Sequence, residues 1–314
     1  MPTPPEPGKP GPVLALVGPT ASGKTQLALA LAAKLGAEVV SADAMLVYRH
    51  MDIGTAKPTP AERARVPHHL VDVVDPGEDF SVARFQPLAR EAIAGVLARG
   101  RVPLLVGGSG LYFHAVVDEF TFPPTDPAVR AKLEAEAATV GLPALYQRLQ
   151  ALDPVAAARI QPANLRRTVR ALEVIELTGR PFSSFRVPGA LDQPTSRYRL
   201  TVLGLDPGAE RLRERVAARV EAMVAAGLVE EVRRLAARPL SRTARQALGY
   251  KELLDAMERG TPLEEALAAV VRRTRAYARR QLAWFRRDRR IQWSTLPPGP
   301  ALEAWALHHY ERNL

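Results

Sequence analysis

The residues with the clearest chemistry stand at 18-GPTASGKT-25, which has the spacing Gly-x-x-x-x-Gly-Lys-Thr. This spacing is typical of a loop that wraps phosphate groups between a strand and a helix. The backbone N–H groups of residues 21–25 would point at an anion, Lys24 would bridge phosphate oxygens, and Thr25 would offer its hydroxyl to Mg²⁺. The apolar run 13-VLALV-17 precedes the loop, as this mechanism requires. The pattern alone does not say whose phosphates are bound.

Two further segments would bring polar side chains to this loop. Asp43 follows the run 38-EVVSA-42, and Ser109 stands in 107-GGSGLY-112. Ligands of open parallel sheets lie beyond the carboxyl ends of the strands, so both side chains are expected near the loop. Asp43 could bind Mg²⁺ through water, act as a general base or cap the next turn. The glycines predict either a close approach to a ligand or a simple tight turn.

Alternating segments would position these residues. The predicted strands are 13–17, 38–42, 69–74 and 102–107, and the predicted helices between them are about 24–35 and 82–99. Each strand is a short apolar run that ends in turn or polar residues. Alternation of this kind predicts an α/β fold, a doubly wound parallel sheet flanked by helices.

The pattern becomes helical after about residue 120. Asn164 is expected to cap a helix that ends at Gly179, and 198-YRLTVLGL-205 reads as a further strand. We therefore expect the following organisation: a P-loop core at 13–120 and 196–296, an all-helical insertion at 121–195 and a peripheral segment at 297–314. The C-terminal third of the core is expected to form helices at roughly 208–226, 228–237, 249–258 and 262–287.

Composition narrows the class of protein. The 314 residues contain no cysteine, which excludes disulfides, thiol catalysis and Cys-ligated zinc. Six prolines among residues 1–12 predict a disordered tail without the apolar region of a signal peptide. The apolar run 27-LALALAA-33 is too short to span a bilayer. We expect a cytoplasmic protein.

The net charge of +10 is concentrated in 272-RRTRAYARRQLAWFRRDRR-290, which holds nine arginines against one aspartate. One stripe of this predicted helix, from Val270 through Tyr277 to Trp284, is expected to pack. Like charges crowded on the remaining face repel unless a polyanion relieves them. That face is expected to contact a nucleic-acid backbone, and a solvated or membrane-surface face is the alternative.

The residues alone are compatible with two different functional hypotheses, a small-molecule kinase and an RNA-binding protein. A small-molecule kinase would bind ATP in the loop and needs a metal-binding aspartate, for which Asp72 and Asp75 in 70-LVDVVDP-76 are the candidates. An RNA-binding protein with a vestigial phosphate site would not need an intact Lys24 or Asp43.

Taken together, the segments resemble the tRNA dimethylallyltransferase (tRNA isopentenyltransferase) family. The similarity spans about residues 13–290 and rests on blocks that occur in the family's order. Besides the phosphate loop, these blocks are 41-SADAMLVYRHMDIGTAKP-58, 67-PHHLVDVVDP-76, 105-LVGGSGLYFHAV-116, 170-RALEVIELTGRP-181, 243-TARQALGYKE-252 and 274-TRAYARRQLAWFRR-287. The stretch DIGTAKP alone is nearly diagnostic of the family.

The resemblance implies a reaction. The phosphates would belong to dimethylallyl diphosphate rather than ATP, and the prenyl group would pass to N6 of the adenosine at tRNA position 37, with diphosphate released and Mg²⁺ assisting. Asp43 matches the family's general base, and Arg219 in 215-RVAARVEAM-223 matches an arginine that contacts the diphosphate. The implied catalytic residues are Asp43, Lys24, Ser109 and Arg219. The implied diphosphate-binding residues are Gly18, Pro19, Thr20, Ala21, Ser22, Gly23, Lys24, Thr25 and Arg219, with Thr25 on the metal.

The resemblance also implies how RNA is bound. Members of the family bind a tRNA with adenosines at positions 36–38 between the core and the helical insertion. The target base is expected to flip out of the anticodon loop into a channel that reaches the prenyl donor. The resemblance also suggests a monomer. The implied tRNA-binding residues are Asp43, Ala44, Met45, Leu46, Ser109, Arg130, Gln161, Asn164, Arg167, Gln246, Arg275, Arg279, Arg280, Gln281 and Trp284. Among them, Gln246 and Gln281 are expected to read base edges, and the arginines to hold phosphates.

Four positions depart from the family's usual pattern. Ser109 stands where Thr is usual, so the hydroxyl survives. Ala44 replaces a serine, His50 stands where Gly is common, and 161-QPAN-164 replaces His-Pro-Asn-Asp. None of these departures removes a catalytic role, but they alter segments expected to contact the anticodon loop.

Overall fold

The computed structural model describes residues 10–185 and 195–313. The first nine residues of the predicted tail therefore lie outside the described part. The described residues form two compact units: one comprises the chain up to Asp118 and from Gln193 onwards, and the other is Glu119–Asp192. Within these residues, no helix is both long and apolar enough to cross a bilayer.

The larger unit is built on one six-stranded sheet. Its strands are β1 (Pro12–Val17), β2 (Ala37–Ser41), β3 (His68–His69), β4 (Val102–Gly107), β5 (Arg199–Leu205) and β6 (Ile291–Ser294). Their order is β3-β2-β4-β1-β5-β6, and every pairing is parallel. The predicted parallel α/β sheet is confirmed.

Helices cover both faces of this sheet. They are α1 (Lys24–Leu35), α2 (Pro60–Arg65), α3 (Val82–Ala98), α4 (Gly110–Val117), α9 (Ala209–Ala225), α10 (Leu228–Ala236), α11 (Arg242–Arg245), α12 (Tyr250–Arg259), α13 (Leu263–Phe285) and α14 (Pro300–Glu311). Alternate residues of β1 point to opposite sides. Val13 and Ala15 join the apolar cluster formed with α3, α4, α12 and α13, whereas Leu14 and Leu16 join the cluster formed with α1 and α14.

The third strand is much shorter than the predicted 69–74. It ends at His69 because Leu70 and Asp72 have φ of 64° and 58°, which turns the chain out of the extended conformation. The following residues pair elsewhere: the Val73 N–H donates to the Val47 carbonyl at 2.7 Å. The predicted six-residue strand is therefore wrong beyond its first residue.

The C-terminal segment is not peripheral, contrary to the prediction. Helix α14, in the segment 297–314 that was predicted to be peripheral, packs against α1. Strand β6 lies just before this segment, was not predicted, and adds to the sheet edge beside β5. Leu302, Ala306 and Tyr310 of α14 are each at most 3% exposed. A four-residue strand and a helix with histidines and tryptophan carry weak sequence signals, and burial decides their structure.

The smaller unit is entirely helical within the described residues. Its elements are α5 (Pro127–Val140), α6 (Leu142–Leu152), α7 (Pro154–Arg159), α8 (Leu165–Thr178) and the 3₁₀ helix Phe182–Ser184. The predicted caps of α8 are confirmed: the Asn164 side chain accepts from the Arg167 N–H at 3.1 Å, and Gly179 ends the helix with φ of 65°. The predicted boundary at 195 falls next to residues 186–194, which lie outside the described part.

The DIGTAKP segment is held by a buried carboxylate in the larger unit. Glu231 is 3% exposed and accepts the backbone N–H groups of Asp52, Ile53 and Gly54 at 3.0 to 3.2 Å. The Tyr250 hydroxyl donates to the same carboxylate at 2.6 Å. Burial and this negative charge raise the pKa of Tyr250, so its hydroxyl stays protonated and donates. Glu231 therefore replaces the hydrogen bonds that this turn lacks.

We expect Glu231→Ala to lower the free energy of unfolding by about 3 kcal/mol or more, because three backbone N–H groups and the buried Tyr250 hydroxyl lose their acceptor. Glu230→Ala is the matched control, since Glu230 pairs with Arg233 and both side chains are more than half exposed. Its change should stay within about 0.5 kcal/mol. Urea denaturation of the two variants measures this contrast, and equal losses would contradict the role given to Glu231.

Candidate functional site

A cavity of about 600 Å³ opens at the carboxyl edge of the sheet in the larger unit. Its walls come from the phosphate loop, from the ends of β2 and β4, and from α9 and α13. The four predicted catalytic residues, Lys24, Asp43, Ser109 and Arg219, all line it. The topology explains this convergence, because β1, β2 and β4 are adjacent parallel strands whose carboxyl ends meet.

The phosphate loop has the backbone its sequence predicts. Gly18, Ala21 and Gly23 have φ of 142°, 62° and 99°, so successive N–H groups can turn toward one point. A Cβ at Gly18 would lie only 2.6 Å from the Leu205 carbonyl oxygen, so a side chain cannot be accommodated there. The loop Gly18–Thr25 thus forms an anion cradle at the N-terminus of α1.

Two cations lie at this cradle. The Lys24 ammonium donates to the carbonyls of Gly18 and Pro19 at 3.0 and 2.6 Å. Burial and the charge of Arg219 lower the pKa of Lys24 to about 7, and Asp43 opposes this shift. Burial also lowers the pKa of Arg219, again against the pull of Asp43. An anion bound between Lys24 and Arg219 would restore the charged lysine.

Asp43 and Ser109 line the same cavity as these cations. The Asp43 Oδ1 accepts the Met45 N–H at 2.8 Å, so the capping role suggested by the sequence is present. Its Oδ2 has no hydrogen-bond partner among the residues that the structure describes. The Ser109 hydroxyl accepts the Ala44 N–H at 3.3 Å. The carboxylate is therefore oriented by the turn while one oxygen remains available to a ligand.

Tyr277 is a site residue that sequence reasoning missed. Burial and the negative charge of Asp43 raise its pKa to about 12, although hydrogen bonding to Ser109 and Gln281 opposes this. The phenol is therefore a neutral donor that lines the cavity near Asp43. The sequence placed Tyr277 on a packing stripe, and nothing in the helical spacing shows that the stripe borders a cavity.

Arg215 is the second residue that was missed. A smaller cavity of about 340 Å³ lies against the phosphate loop and shares Lys24, Thr25 and Arg219 with the larger one. Arg215, one turn before Arg219 on α9, lines it and donates to the Ser22 carbonyl at 3.2 Å. The i, i+4 spacing of two arginines in the quoted block 215–223 was the available signal.

Some of the residues predicted to contact tRNA in the larger unit line the cavity, and others lie elsewhere on α13. Ala44, Met45, Leu46, Gln246 and Arg280 line the cavity, and Gln246 is exposed. Arg279 is exposed on α13, whereas Arg275 donates to the Arg213 carbonyl at 3.3 Å.

Gln281 and Trp284 point inward from α13. Gln281 is 6% exposed, and both its polar atoms bond to backbone groups of the core. The Trp284 ring packs so closely on Gly110 that a Cβ there would lie 2.1 Å from the ring. The glycines of the 107–112 turn therefore leave room for side chains of α13 to pack closely on the backbone. The sequence had suggested either close approach to a ligand or a simple tight turn.

Within the smaller unit, the four predicted tRNA contacts also differ in their surroundings. Arg130 pairs with the fully buried Glu173 at 2.9 Å, which is a structural ion pair. Gln161 and Arg167 are exposed, and Asn164 uses its side-chain oxygen to cap α8. Only the exposed pair is free of an evident structural task.

The two candidate metal ligands of a kinase lie outside both cavities. Asp72 pairs with Lys57 at 2.7 Å and with Arg63. Asp75 pairs with Arg49 at 3.0 Å. Their charges are satisfied by structural partners, so they support no nucleotide-bound metal.

His50, where Gly is common in the family, has φ of 64°, which explains the preference for glycine at that position.

Fold and site together define a class of parallel α/β proteins with a phosphate loop, in which an anion cradle and a carboxylate share one cavity. Two family models match the chain: IPP transferase over residues 46–288 and isopentenyl transferase over residues 11–68. The chain therefore belongs to the IPP transferase family, and the resemblance seen in the sequence is confirmed.

Curated relatives and solved structures support the same family assignment. The tRNA dimethylallyltransferase of Salinispora arenicola (strain CNS-205) is 55% identical over 285 residues, covering 90% of this chain and 82% of the relative. That of Streptomyces coelicolor is 53% identical over 283 residues, covering 90% and 89%. A crystal structure of full-length tRNA isopentenylpyrophosphate transferase from Bacillus halodurans has a TM-score of 0.70 at 40% identity, covering 97% of this chain and 98% of the other. A eukaryotic dimethylallyltransferase acting on tRNA has a TM-score of 0.74 at 27% identity, covering 88% and 70%.

The lowered pKa of Lys24 predicts a pH dependence of stability. An unfolded lysine titrates near 10.5, so between about pH 7 and pH 10.5 the unfolded chain binds more protons than the folded one, and stability rises with pH. Lys24→Met removes the buried charge. Its gain in unfolding free energy over wild type should be large at pH 7 and mostly gone by pH 10.

Denaturant titrations at the two pH values measure this difference. Lys34→Met is the control, because Lys34 is half exposed and pairs with Glu303 on the surface. A Lys24→Met difference that is the same at both pH values would show that Lys24 titrates as in an unfolded chain.

Proposed function

We propose that this protein transfers the dimethylallyl group of dimethylallyl diphosphate to N6 of the adenosine at position 37 of tRNA. One observation supports this most strongly: the cations Lys24 and Arg219 face the same cavity as Asp43 and Ser109. A leaving diphosphate and an amine that must lose a proton can therefore meet in one space. The relatives named as tRNA dimethylallyltransferases supply the identity of both substrates.

The leaving group would bind at the phosphate loop. Backbone N–H groups of residues 21–25 would donate to one phosphate group. The Lys24 ammonium would exchange its bonds to the Gly18 and Pro19 carbonyls for bonds to oxygens of both phosphate groups. Arg219 would contact the diphosphate from α9, with Arg215 on the side of the smaller cavity. As the allylic C–O bond breaks, negative charge grows on the diphosphate, and these donors stabilise it.

Asp43 would act on the other substrate. The exocyclic amine of adenine is a weak nucleophile because its lone pair is delocalised into the ring. When the N6–carbon bond forms and the carbon–oxygen bond breaks, N6 must lose a proton, and the free Oδ2 of Asp43 would accept it. Tyr277 and Ser109, which flank this carboxylate, would hold the base or the carboxylate in orientation.

The prenyl group needs an apolar wall next to the diphosphate. Val220 and Met223 follow Arg219 by one and four residues on α9, and both line the cavity. Leu228 and Val270 complete the apolar wall. The same helix would therefore contact the diphosphate with Arg219 and the five-carbon group with its next turn.

The donor set also fits Mg²⁺. This ion usually keeps several waters and takes one or two protein ligands together with substrate phosphates. Thr25 is exposed at the start of α1 and lines both cavities, so its hydroxyl would hold the ion. Among the described residues no group of three acidic or histidine side chains forms a separate metal site. When bound, the ion would neutralise charge on the departing diphosphate.

RNA contacts are proposed on both units. Arg279 and Arg280 would bind phosphates along α13, and Gln246, exposed at the cavity, would read a base edge. In the smaller unit, Gln161 and Arg167 are the exposed candidates. A cytoplasmic location and a monomeric state remain predictions of the sequence.

A transfer assay tests the proposal. Purified protein, Mg²⁺, radiolabelled dimethylallyl diphosphate and an unmodified tRNA with adenosines at positions 36–38 should yield labelled RNA. ATP consumption with small-molecule acceptors and no label in the RNA would indicate the kinase reading instead.

In this assay we expect Asp43→Asn to lower kcat by about 10²- to 10⁴-fold, with little change in KM for dimethylallyl diphosphate. The amide oxygen can still accept the Met45 N–H, so the turn is kept while the base is lost. Asp75→Asn, which alters a surface pair with Arg49, should leave kcat unchanged. Equal rates for wild type and Asp43→Asn would refute the base role.

The apolar wall predicts a change of donor specificity. Met223→Ala should raise the rate with the ten-carbon geranyl diphosphate relative to dimethylallyl diphosphate by about tenfold, because it frees volume beside Arg219. Competition between the two donors, resolved by mass spectrometry of the digested RNA, measures the ratio. Met257→Ala, at a residue 39% exposed on α12, is the control. An unchanged ratio for Met223→Ala would place the prenyl group elsewhere.

A further inference from the structure

Gln281 occupies a buried place between two loops of the larger unit. Its side-chain oxygen Oε1 accepts the Thr20 N–H at 2.9 Å, and its Nε2 donates to the Gly108 carbonyl at 2.9 Å. The residue is 6% exposed. Both ends of the amide are thus engaged with backbone, and little surface remains for contact with a base.

The fit around this amide is close and directional. A Cβ at Gly108 would lie 2.3 Å from the Nε2 of Gln281, so only glycine allows the approach. One partner is an N–H and the other a carbonyl, so the two contacts require opposite ends of the amide. A rotated amide would set donor against donor and acceptor against acceptor.

The two partners belong to the two halves of the site. Thr20 lies in the phosphate loop, which forms the anion cradle, and it lines the cavity. Gly108 precedes Ser109, whose hydroxyl accepts the N–H of Ala44 beside Asp43. A single side chain of α13 therefore connects the loop that would hold the diphosphate to the turn that borders the general base.

We propose that Gln281 is a positioning residue that holds the phosphate loop in its diphosphate-binding geometry relative to Ser109 and Asp43. This role replaces the base-edge reading expected from the sequence. The nature of the anion rests on the proposed function, but the two hydrogen bonds do not. Gln281 extends from the helix whose exposed Arg279 and Arg280 would bind RNA. The bond to Thr20 therefore joins that helix to the phosphate loop, and the bond to Gly108 joins it to the turn that precedes Ser109.

Binding of inorganic diphosphate with Mg²⁺, measured by calorimetry without RNA, separates the two roles. Gln281→Met keeps the length of the side chain and removes both hydrogen bonds, so it should weaken diphosphate binding about tenfold or more. Gln150→Met is the matched control, since Gln150 is exposed on α6 in the smaller unit and lines neither cavity, and the diphosphate affinity of this variant should not change. Unchanged diphosphate affinity of Gln281→Met would overturn the proposal.

Steady-state kinetics gives the complementary comparison. A positioning role raises KM for dimethylallyl diphosphate and leaves KM for tRNA nearly unchanged in Gln281→Met. Base reading gives the opposite result, a raised KM for tRNA with a normal KM for the donor, and would also overturn the proposal.

Amide hydrogen exchange keeps the test decisive whatever the ligand. Exchange at the Thr20 amide should rise in Gln281→Met while the amides of β1 stay protected, whereas global loss of protection would show misfolding. Gln281→Glu keeps an acceptor for Thr20 but loses the donor to Gly108, so Thr20 should remain protected in that variant. Protection of Thr20 in both variants would refute the bond. Absence of diphosphate binding by wild type would instead refute the proposed function.

Discussion

The structure depends on a local excess of positive charge at the phosphate loop. Lys24 and Arg219 both line the cavity, and burial lowers the pKa of each. The charge of Arg219 lowers the pKa of Lys24 further, and Asp43 opposes both shifts. Such an arrangement is costly without an anion and favourable with one. The same charges that bind a diphosphate would stabilise it as it leaves, so binding and catalysis use the same interaction.

The fold brings these charged side chains together at the carboxyl edge of the sheet. Three adjacent parallel strands, β1, β2 and β4, end beside one another, and each is followed by one part of the site. The buried Glu231 fixes the DIGTAKP turn, and Gln281 joins two of the strand-end loops through its hydrogen bonds to Thr20 and Gly108. The DIGTAKP turn that Glu231 holds contributes Gly54, Thr55 and Ala56 to the wall of the cavity.

Local signals predicted the elements with strong periodicity and clear caps. The phosphate loop, helix α1 and the caps of α8 follow from short-range residue chemistry, and the structure has them where they were expected. Signals failed where tertiary packing decides. Positive φ at Leu70 shortens β3, burial against α1 makes α14 part of the core, and Gln281 bonds to residues more than 170 positions away. Helical spacing shows which side chains share a face, but not whether that face meets a base, a cavity or a backbone amide.

The central claim is that one cavity brings the diphosphate and the adenosine together. The most direct measurement is a crystal structure of the protein with Mg²⁺, diphosphate and an anticodon stem-loop bearing unmodified adenosines at positions 36–38. We expect diphosphate on the N–H groups of residues 21–25 with Lys24 and Arg219, and a flipped adenosine whose N6 is within hydrogen-bond distance of the Asp43 carboxylate. An adenosine that remains stacked in the loop, or a diphosphate bound away from Lys24, would contradict it.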